Sequence, residues 1–248
     1  MLHLKRMAVL CLVLICAITG FLFWALRMGG EQAGVTLPAP PQSAARFEAF
    51  STNSTHALNV TGGIVDGQWL ARTSDETGIP ARALQAYAAG AAAANFTVPG
   101  CGIGWNTVAA IGFTESAHGT YGGGTLSATG QATERMVGPS LNGDGFAAIA
   151  DTDAGALDGD PHWDRAVGPM QFIPSTWSYA GRDGNGDGSA DPFNIDDAAV
   201  SAATYLCGGG RDLVADRGWA DAVYSYNQSD AYVKQVRETA AAYAAAVS

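Results

Sequence analysis

WNTVAAIGFTESAHGTYGGG, residues 105–124, is the stretch around which the chain is organised. Trp105, Val108, Gly112 and Glu115 recur at spacings of three and four, which places them on one face of an α-helix. The first three are apolar or small, so the pattern predicts an inward face that ends in a carboxylate. Desolvation there would raise the carboxyl pKa and make Glu115 a proton donor near neutral pH. The alternative is an ordinary last-turn glutamate that faces water.

The charge balance restricts the kinds of partner. The chain has 248 residues and a formal net charge of -10. This length is enough for one sizeable domain with accessory segments. The negative charge argues against nucleic acid as a partner and against electrostatic capture of an anionic polymer. We expect a monomer, although the sequence leaves the oligomeric state open.

An uncharged apolar run, MAVLCLVLICAITGFLFWAL, occupies residues 7–26. It is long enough to span a bilayer as a helix, and Lys5 and Arg6 precede it, which favours a cytoplasmic N-terminus. We therefore interpret residues 1–28 as a single-pass membrane anchor, with the rest of the chain outside the cytoplasm. A cleaved signal peptide, which would make the protein secreted, is the alternative.

Two further regions follow the apolar run. Residues 29–61 are rich in Pro, Ser, Thr and Asn and have little periodic apolar content, which predicts a flexible linker. Residues 62–248 show helical apolar stripes and no convincing alternating strand pattern, so a mainly α domain is expected. Its first helix is predicted at Ile64–Thr73, and Asn194 and Ser229 are predicted to cap later helices.

Cys101 and Cys207 lie outside the apolar run, in the part of the chain predicted to be exported. An even pair of cysteines in an oxidising compartment predicts a disulfide. The bond would tie the chain just before the Glu115 helix to the end of the helix that Asn194 begins. Metal ligation is the weaker interpretation, because neither cysteine has a second one nearby.

Three short motifs together carry a family resemblance. They are Glu115-Ser116, the run GPMQFIPSTW at residues 168–177, and Ser225-Tyr226-Asn227. In this order and spacing they resemble the lytic murein transglycosylases, with the B-type branch in its actinobacterial form as the nearest type. The resemblance covers about residues 63–237.

The resemblance implies a lysozyme-like helical domain with a groove for the glycan strands of peptidoglycan. It implies that Glu115 is the sole catalytic acid and base. The bond cleaved would join N-acetylmuramic acid to N-acetylglucosamine, and its non-hydrolytic cleavage would leave 1,6-anhydromuramic ends. The residues that it implies for substrate binding are Ser116, Met170, Gln171, Tyr226 and Asn227.

Two alternative functions use the same motifs. One is a muramidase that hydrolyses the same bond, for which the loop between Asp151 and Asp164 could supply a second carboxylate. The other is a non-catalytic module that binds the cell wall. The complete set of Glu-Ser, Met-Gln and Tyr-Asn pairs favours an enzyme.

The segment DGNGDGS, residues 183–189, matches the first half of an EF-hand calcium loop. Position twelve is Asn194 instead of the usual glutamate. In B-type relatives the loop is longer and closes with an aspartate at the start of the next helix, a place that Asp197 occupies. The expected ligands of a structural Ca²⁺ ion are Asp183, Asn185, Asp187, Ser189 and Asp197. A metal-free turn is the alternative.

Overall fold

The computed structural model describes residues 37–48, 64–144 and 147–248. In this part of the chain the main elements are seven α-helices, so the prediction of a mainly α domain is confirmed. The helices are α1 (Gly67–Thr77), α2 (Ala81–Thr97), α3 (Trp105–Ser116), α4 (Pro174–Ala180), α5 (Ile195–Leu206), α6 (Asp216–Tyr226) and α7 (Asp230–Ala246).

Helices α2, α3, α5 and α7 build the core. Helix α2 packs along α5, and α3 lies between α2 and α7. The α2–α5 contact is close because α2 is rich in small residues. A Cβ added at Gly90 would lie 2.9 Å from the carbonyl carbon of Ala199, so glycine is required at that crossing. Helix α3 is therefore packed between two helices of the core, α2 and α7.

Helix α3 is almost entirely buried along its first two turns. Trp105 and Val108 are buried as the sequence predicted, and the rings of Trp69 and Trp105 form a T-shaped pair with a centroid distance of 5.8 Å. The helix ends where Ala117 and His118 adopt left-handed φ values of 50° and 63°. This turn reverses the chain immediately after Glu115 and Ser116.

Two small antiparallel sheets accompany the helices. Strand β1 (Phe47–Glu48) pairs with β2 (Ile64–Val65), and β3 (Val137–Ser140) pairs with β4 (Arg165–Val167). Strands of two to four residues are too short for an alternating pattern to be visible in the sequence.

The first helix begins three residues later than predicted. The prediction of a helix from Ile64 is wrong, because Ile64 and Val65 pair with β1. Helix α1 begins after Asp66, whose carboxylate accepts the Trp69 N–H at 2.6 Å, and it ends at Gly78. An N-cap aspartate explains the later start.

Part of the predicted linker packs on the helical domain. Residues 37–48 contain Gln42, whose side-chain oxygen accepts the Gly104 N–H at 2.8 Å and the Thr107 hydroxyl at 2.9 Å. The buried Asn106 side chain donates to the Pro41 carbonyl at 2.8 Å. Because α3 has no capping side chain of its own, this segment satisfies polar groups at the start of the helix. The division of the chain at residues 28 and 61 stays a prediction.

The predicted disulfide and helix caps are present. Cys101 and Cys207 are bonded and close a loop with a sequence separation of 106 residues. The disulfide thus joins the chain before α3 to the C-terminal end of α5. The side chain of Asn194 accepts the Asp196 N–H at the start of α5, and that of Ser229 accepts the Tyr232 N–H at the start of α7.

The predicted membrane anchor lies outside the described residues. The apolar run at residues 7–26 falls in this part of the chain. Among the helices that are described, none combines the length and the apolar character needed to cross a bilayer.

Candidate active site

Glu115 lies in the last turn of α3, where its carboxyl group is partly buried. The hydroxyl of Tyr232, on the first turns of α7, donates a hydrogen bond of 2.5 Å to Glu115 Oε1. Helices α3 and α7 run antiparallel, which brings the end of one beside the start of the other. The packing of two core helices therefore fixes the position of this carboxyl group.

Burial raises the pKa of Glu115 from the usual 4.5 to about 7, while the hydrogen bond from Tyr232 acts to lower it. A carboxyl group with this pKa exists in both protonation states near neutral pH. It can therefore donate a proton and later accept one, as general acid–base catalysis requires. The desolvated carboxyl expected from the α3 sequence pattern is present.

A tight turn of the Met-Gln motif lies against the end of α3. Val167 and Phe172 form the bridge that closes this turn, which begins with Gly168 at φ 76°. A Cβ at Gly168 would clash with the carbonyl of Pro192, so only glycine fits there. Gln171 also has a positive φ of 50°, and its side-chain amide donates to the Gly168 carbonyl at 2.9 Å.

Ser116 fastens this turn to α3. Its hydroxyl donates to the Pro169 carbonyl at 2.6 Å and accepts the Gly119 N–H at 2.7 Å. Ser116 is buried, so both of its bonds lie inside the protein. The contact holds the Met-Gln turn beside the residue that follows Glu115.

Tyr226, at the end of α6, closes the other side of the turn. Its hydroxyl donates to the Met170 carbonyl at 2.7 Å. Burial and the neighbouring carboxylate of Glu115 both raise the pKa of Tyr226, which places the two side chains close together. Asn227 follows as the C-cap of α6 and is partly exposed.

The structure thus brings together the motifs that the sequence singled out. Glu115, Ser116, Met170 and Tyr226 form one connected group, with Asn227 next to it in the chain. The side chain of Met170 is fully buried, whereas that of Gln171 is partly exposed. Gln171 is therefore more accessible to a ligand than Met170.

Tyr232 is a site residue that the motifs did not identify. The apolar pattern of α7 predicted only that this side chain would face inward. A buried tyrosine hydroxyl generally needs a hydrogen-bond partner, and this rule was the one signal that could have pointed to a role. The partner, Glu115, lies 117 residues away in sequence, so local spacing could not reveal it.

The EF-hand-like loop brings Asp183 close to Asp197. Burial raises the pKa of the Asp197 carboxyl, and the Asp183 carboxylate raises it further. The Asp197 carboxylate accepts the N–H groups of Gly184 at 2.8 Å and Asn185 at 3.1 Å, which folds the loop around it. A divalent cation between these carboxylates would offset their repulsion, so the oxygen donors fit calcium.

The other expected ligands are held by contacts within the loop. Asp187 accepts the Ser189 N–H at 2.9 Å and the side-chain amide of Asn185 at 3.1 Å. In the described part of the chain, the carboxylates of Asp183, Asp187 and Asp197 do not form a group with oxygens within 4.8 Å of one another.

A different carboxylate group, Asp151, Asp153 and Asp164, does meet this distance. Its oxygens already accept hydrogen bonds from the loop. Asp164 accepts the N–H and the hydroxyl of Thr152, at 2.9 and 2.8 Å, and Asp151 accepts the Gly155 N–H at 3.0 Å. These bonds shape the loop from 151 to 164.

One segment of the chain matches the model of a known protein family. Residues 146–220 match the family model described as Transglycosylase SLT domain. The resemblance to lytic transglycosylases is confirmed. The match indicates an enzyme of the transglycosylase kind over these residues, and it does not distinguish the B-type branch of the lytic transglycosylases. The matched segment contains the Met170-Gln171 turn and the EF-hand-like loop, whereas Glu115 and Tyr226 lie outside it.

Among solved structures, the Escherichia coli lytic transglycosylase Slt35 in complex with bulgecin A is similar to this chain. The two share 16% sequence identity, and the match covers 77% of this chain and 82% of the other, with a TM-score of 0.45. No curated protein matches the chain.

Proposed function

We propose that this transglycosylase cleaves the bond between N-acetylmuramic acid and N-acetylglucosamine without water, with Glu115 as its sole acid and base. The observation that carries the proposal is the carboxyl of Glu115, whose pKa is about 7, beside the turn and tyrosine of the two other motifs. One group that titrates near neutral pH can serve both halves of the reaction.

In the first step, protonated Glu115 donates its proton to the oxygen that bridges the two sugars. The bond between that oxygen and C1 of the muramic acid then breaks, and N-acetylglucosamine leaves as an alcohol. The neighbouring N-acetyl group of the substrate stabilises the positive charge at C1. Desolvation of Glu115 favours this step, because it keeps the proton available at neutral pH.

In the second step, Glu115 is a carboxylate and accepts the proton of the substrate's own C6 hydroxyl. The C6 oxygen attacks C1 and closes the 1,6-anhydro ring, which returns Glu115 to its protonated form. Tyr232 donates its hydrogen bond to the carboxylate between the two steps. This contact prevents the charged state from becoming too unstable to form.

The remaining motif residues suit the binding of a glycan strand. The partly exposed amides of Gln171 and Asn227 can pair with sugar hydroxyl and acetamido groups. Ser116 and Tyr226 hold the backbone of the Met-Gln turn through their bonds to the carbonyls of Pro169 and Met170, and the Met170 side chain is buried beneath it. We therefore assign Gln171 and Asn227 to direct contact, and the other three to the shape of the groove.

The products of purified peptidoglycan, analysed by mass spectrometry, test this proposal. We expect muropeptides with 1,6-anhydromuramic ends. Reducing ends would instead identify a hydrolytic muramidase, and no released product would indicate a non-catalytic wall-binding module. Either of these two results would contradict the proposal.

We further propose that the EF-hand-like loop binds one structural calcium ion. Asp183, Asp187 and Asp197 would provide carboxylate oxygens, Asn185 a side-chain oxygen and Ser189 its backbone carbonyl. The ion would join the loop before α5 to the helix itself. Nothing in this loop resembles a catalytic group, so its contribution would be to stability.

We also propose that the apolar run holds the protein at the outer face of the cell membrane. Mature protein sequenced from cells should then begin at or near Met1. A mature N-terminus after residue 27 would instead show that the run is a cleaved signal peptide and that the enzyme is secreted.

A further inference from the structure

His118 is the one histidine in the described residues that is buried, and it follows Glu115 by three positions. Its two ring nitrogens both face tyrosine hydroxyls. Nδ1 lies 3.2 Å from the hydroxyl of Tyr87 on α2, and Nε2 lies 2.9 Å from the hydroxyl of Tyr243 on α7. The ring therefore connects the end of α3 with both helices that flank it.

The side chains around the His118 ring leave space for it and cover it. A Cβ at Gly112 would clash with the Tyr87 hydroxyl, so glycine at this position in α3 admits the tyrosine. The Phe113 ring covers His118 at a centroid distance of 5.6 Å. Burial lowers the pKa of His118 to about 4. The neutral ring donates to one hydroxyl and accepts from the other, so each polar atom has a partner.

The histidine lies in a turn that depends on tertiary contacts. Ala117 and His118 are consecutive non-glycine residues with positive φ. Such conformations persist when the surrounding structure imposes them. The His118 N–H bonds to the Gly112 carbonyl at 3.0 Å, and the Gly119 N–H bonds to the Ser116 hydroxyl at 2.7 Å. The ring of His118 adds the contacts of this turn with α2 and α7, whereas Ser116 joins it to the Met-Gln turn.

Helix α7 contacts the end of α3 at two points. Tyr232 donates to Glu115, and Tyr243 pairs with His118. The two tyrosines are eleven residues apart, which is three helical turns, so both face α3 from the same side of α7. A shift of α3 against α7 would disturb both contacts together.

We propose that His118 is a positioning residue for Glu115, which it holds against Tyr232 by tying the end of α3 to Tyr87 and Tyr243. The inference rests on the proposed function, since it takes Glu115 as the acid and base. The Glu-x-x-His spacing has no metal-binding meaning here, because both ring nitrogens are used by tyrosines.

The pKa of the Glu115 carboxyl, measured directly by carbon-13 NMR, tests the inference independently of activity. The chain has six glutamates, and Glu115→Gln identifies the resonance of interest. In His118→Ala the end of α3 should loosen and admit water. We expect the pKa of Glu115 to fall by about one unit. A fall in kcat of about tenfold or more should accompany it, with KM nearly unchanged.

Three further variants make the measurement decisive. His118→Gln should restore part of the pKa and of kcat, because its amide can pair with a tyrosine hydroxyl. Tyr243→Phe removes one contact while it keeps the ring, so it replaces His118→Ala if that protein does not fold. Asn106→Ala removes an equally buried polar group at the other end of α3, and should lower Tm without moving the pKa of Glu115.

An unchanged Glu115 pKa in both His118→Ala and Tyr243→Phe would overturn the inference. So would an equal shift in Asn106→Ala, since any loss of stability would then have the same effect. Failure of the proposed function gives a separate signal, because an active Glu115→Gln protein would refute the role of Glu115 whatever the NMR pKa shows.

Discussion

At Glu115 two influences on the carboxyl pKa oppose each other: burial raises it, and the hydroxyl of Tyr232 lowers it. The balance leaves the carboxyl group able to exchange a proton near neutral pH. Neither influence involves a second acid. The pH dependence of the enzyme should therefore respond to substitutions that alter burial or this single hydrogen bond.

The variant Tyr232→Phe should move the alkaline limb of the pH–rate profile to higher pH. Without the hydroxyl, the carboxylate loses its donor and the pKa of Glu115 rises further, by about one unit for a bond of this kind. Tyr121→Phe, which changes an exposed tyrosine in the following turn, is the matched control. If the two profiles agree with that of the wild-type enzyme, the hydrogen bond does not set the pKa.

The variant Glu115→Gln should be more stable than the wild-type protein at about pH 8. There the folded wild-type protein must hold a desolvated carboxylate, whereas glutamine is neutral. Stability tied to a raised pKa is present below the unfolded pKa of about 4.5 and is lost as the pH rises through about 7. Thermal unfolding should show an advantage of about 1 to 3 kcal/mol at pH 8 that vanishes near pH 4. A variant less stable at both values would contradict the desolvation argument.

At this scale the sequence predicted the buried position of Glu115 but not the side chains that contact it. Spacings of three and four predicted that Glu115 shares the buried face of α3 with Trp105 and Val108, and both of these are buried. The roles of Tyr232 and His118 were not predicted, because their partners are distant in sequence. Tyr232 contacts Glu115, 117 residues away, and His118 contacts Tyr243, 125 residues away. Local periodicity shows that a tyrosine faces inward, but not which group it meets.

Helix α3 is the element on which the site depends, and it is fixed at both ends. Before its first turn, Cys101 is bonded to Cys207 at the end of α5. In its last turn Ser116 bonds to the Met-Gln turn, and just beyond it His118 bonds to Tyr87 of α2 and Tyr243 of α7. The carboxyl group therefore lies at the end of a helix with little freedom to slide or rotate.

Removal of the Cys101–Cys207 bond should destabilise the fold strongly. The bond closes a loop with a separation of 106 residues, worth about 4 to 5 kcal/mol in the chain-entropy description. Urea unfolding of the Cys101→Ala/Cys207→Ala protein should show this loss. Reductant should then affect the wild-type protein and leave the double variant unchanged. Equal unfolding midpoints for both proteins in the absence of reductant would contradict the expected stabilisation.

Elements with strong local signals were predicted well. Asn194 and Ser229 cap the helices that the sequence assigned to them, because a capping side chain acts within three residues. The short strands and the position of residues 37–48 on the domain were not predicted. Both depend on contacts with distant parts of the chain, which composition and periodicity do not report.

For the whole molecule, the site depends on segments that are far apart in sequence. The transglycosylase match ends at residue 220 and begins at 146, so it includes the turn of Gln171 but neither Glu115 nor Tyr226. The fold closes this gap because Ser116 of α3 and Tyr226 of α6 bond to the turn, while Tyr232 of α7 bonds to Glu115. The order of the motifs therefore predicted the family, and only the fold shows how the motifs meet.

Calcium should stabilise the whole domain if the EF-hand-like loop binds it. A ligand that binds only the folded state adds RT ln(1 + [L]/Kd), about 2.7 kcal/mol at a hundredfold excess over Kd. Calcium in the millimolar range should raise the Tm of metal-free protein, and Asp187→Ala should reduce the rise. Asp153→Ala, in the other carboxylate group, should not. An unchanged Tm would leave the loop as a plain turn, and loss of the rise only in Asp153→Ala would place the ion elsewhere.

The most direct test of the account is the rate at which Glu115→Gln protein releases muropeptides from purified peptidoglycan, compared with Glu238→Gln. The control makes the same substitution at an exposed glutamate on α7. Because one residue serves both proton transfers, the loss in Glu115→Gln should reach or exceed about ten-thousandfold. Binding of glycan strands should survive, and Glu238→Gln should keep the wild-type rate. Release by Glu115→Gln at near the wild-type rate would contradict the central claim that this carboxyl group performs the chemistry.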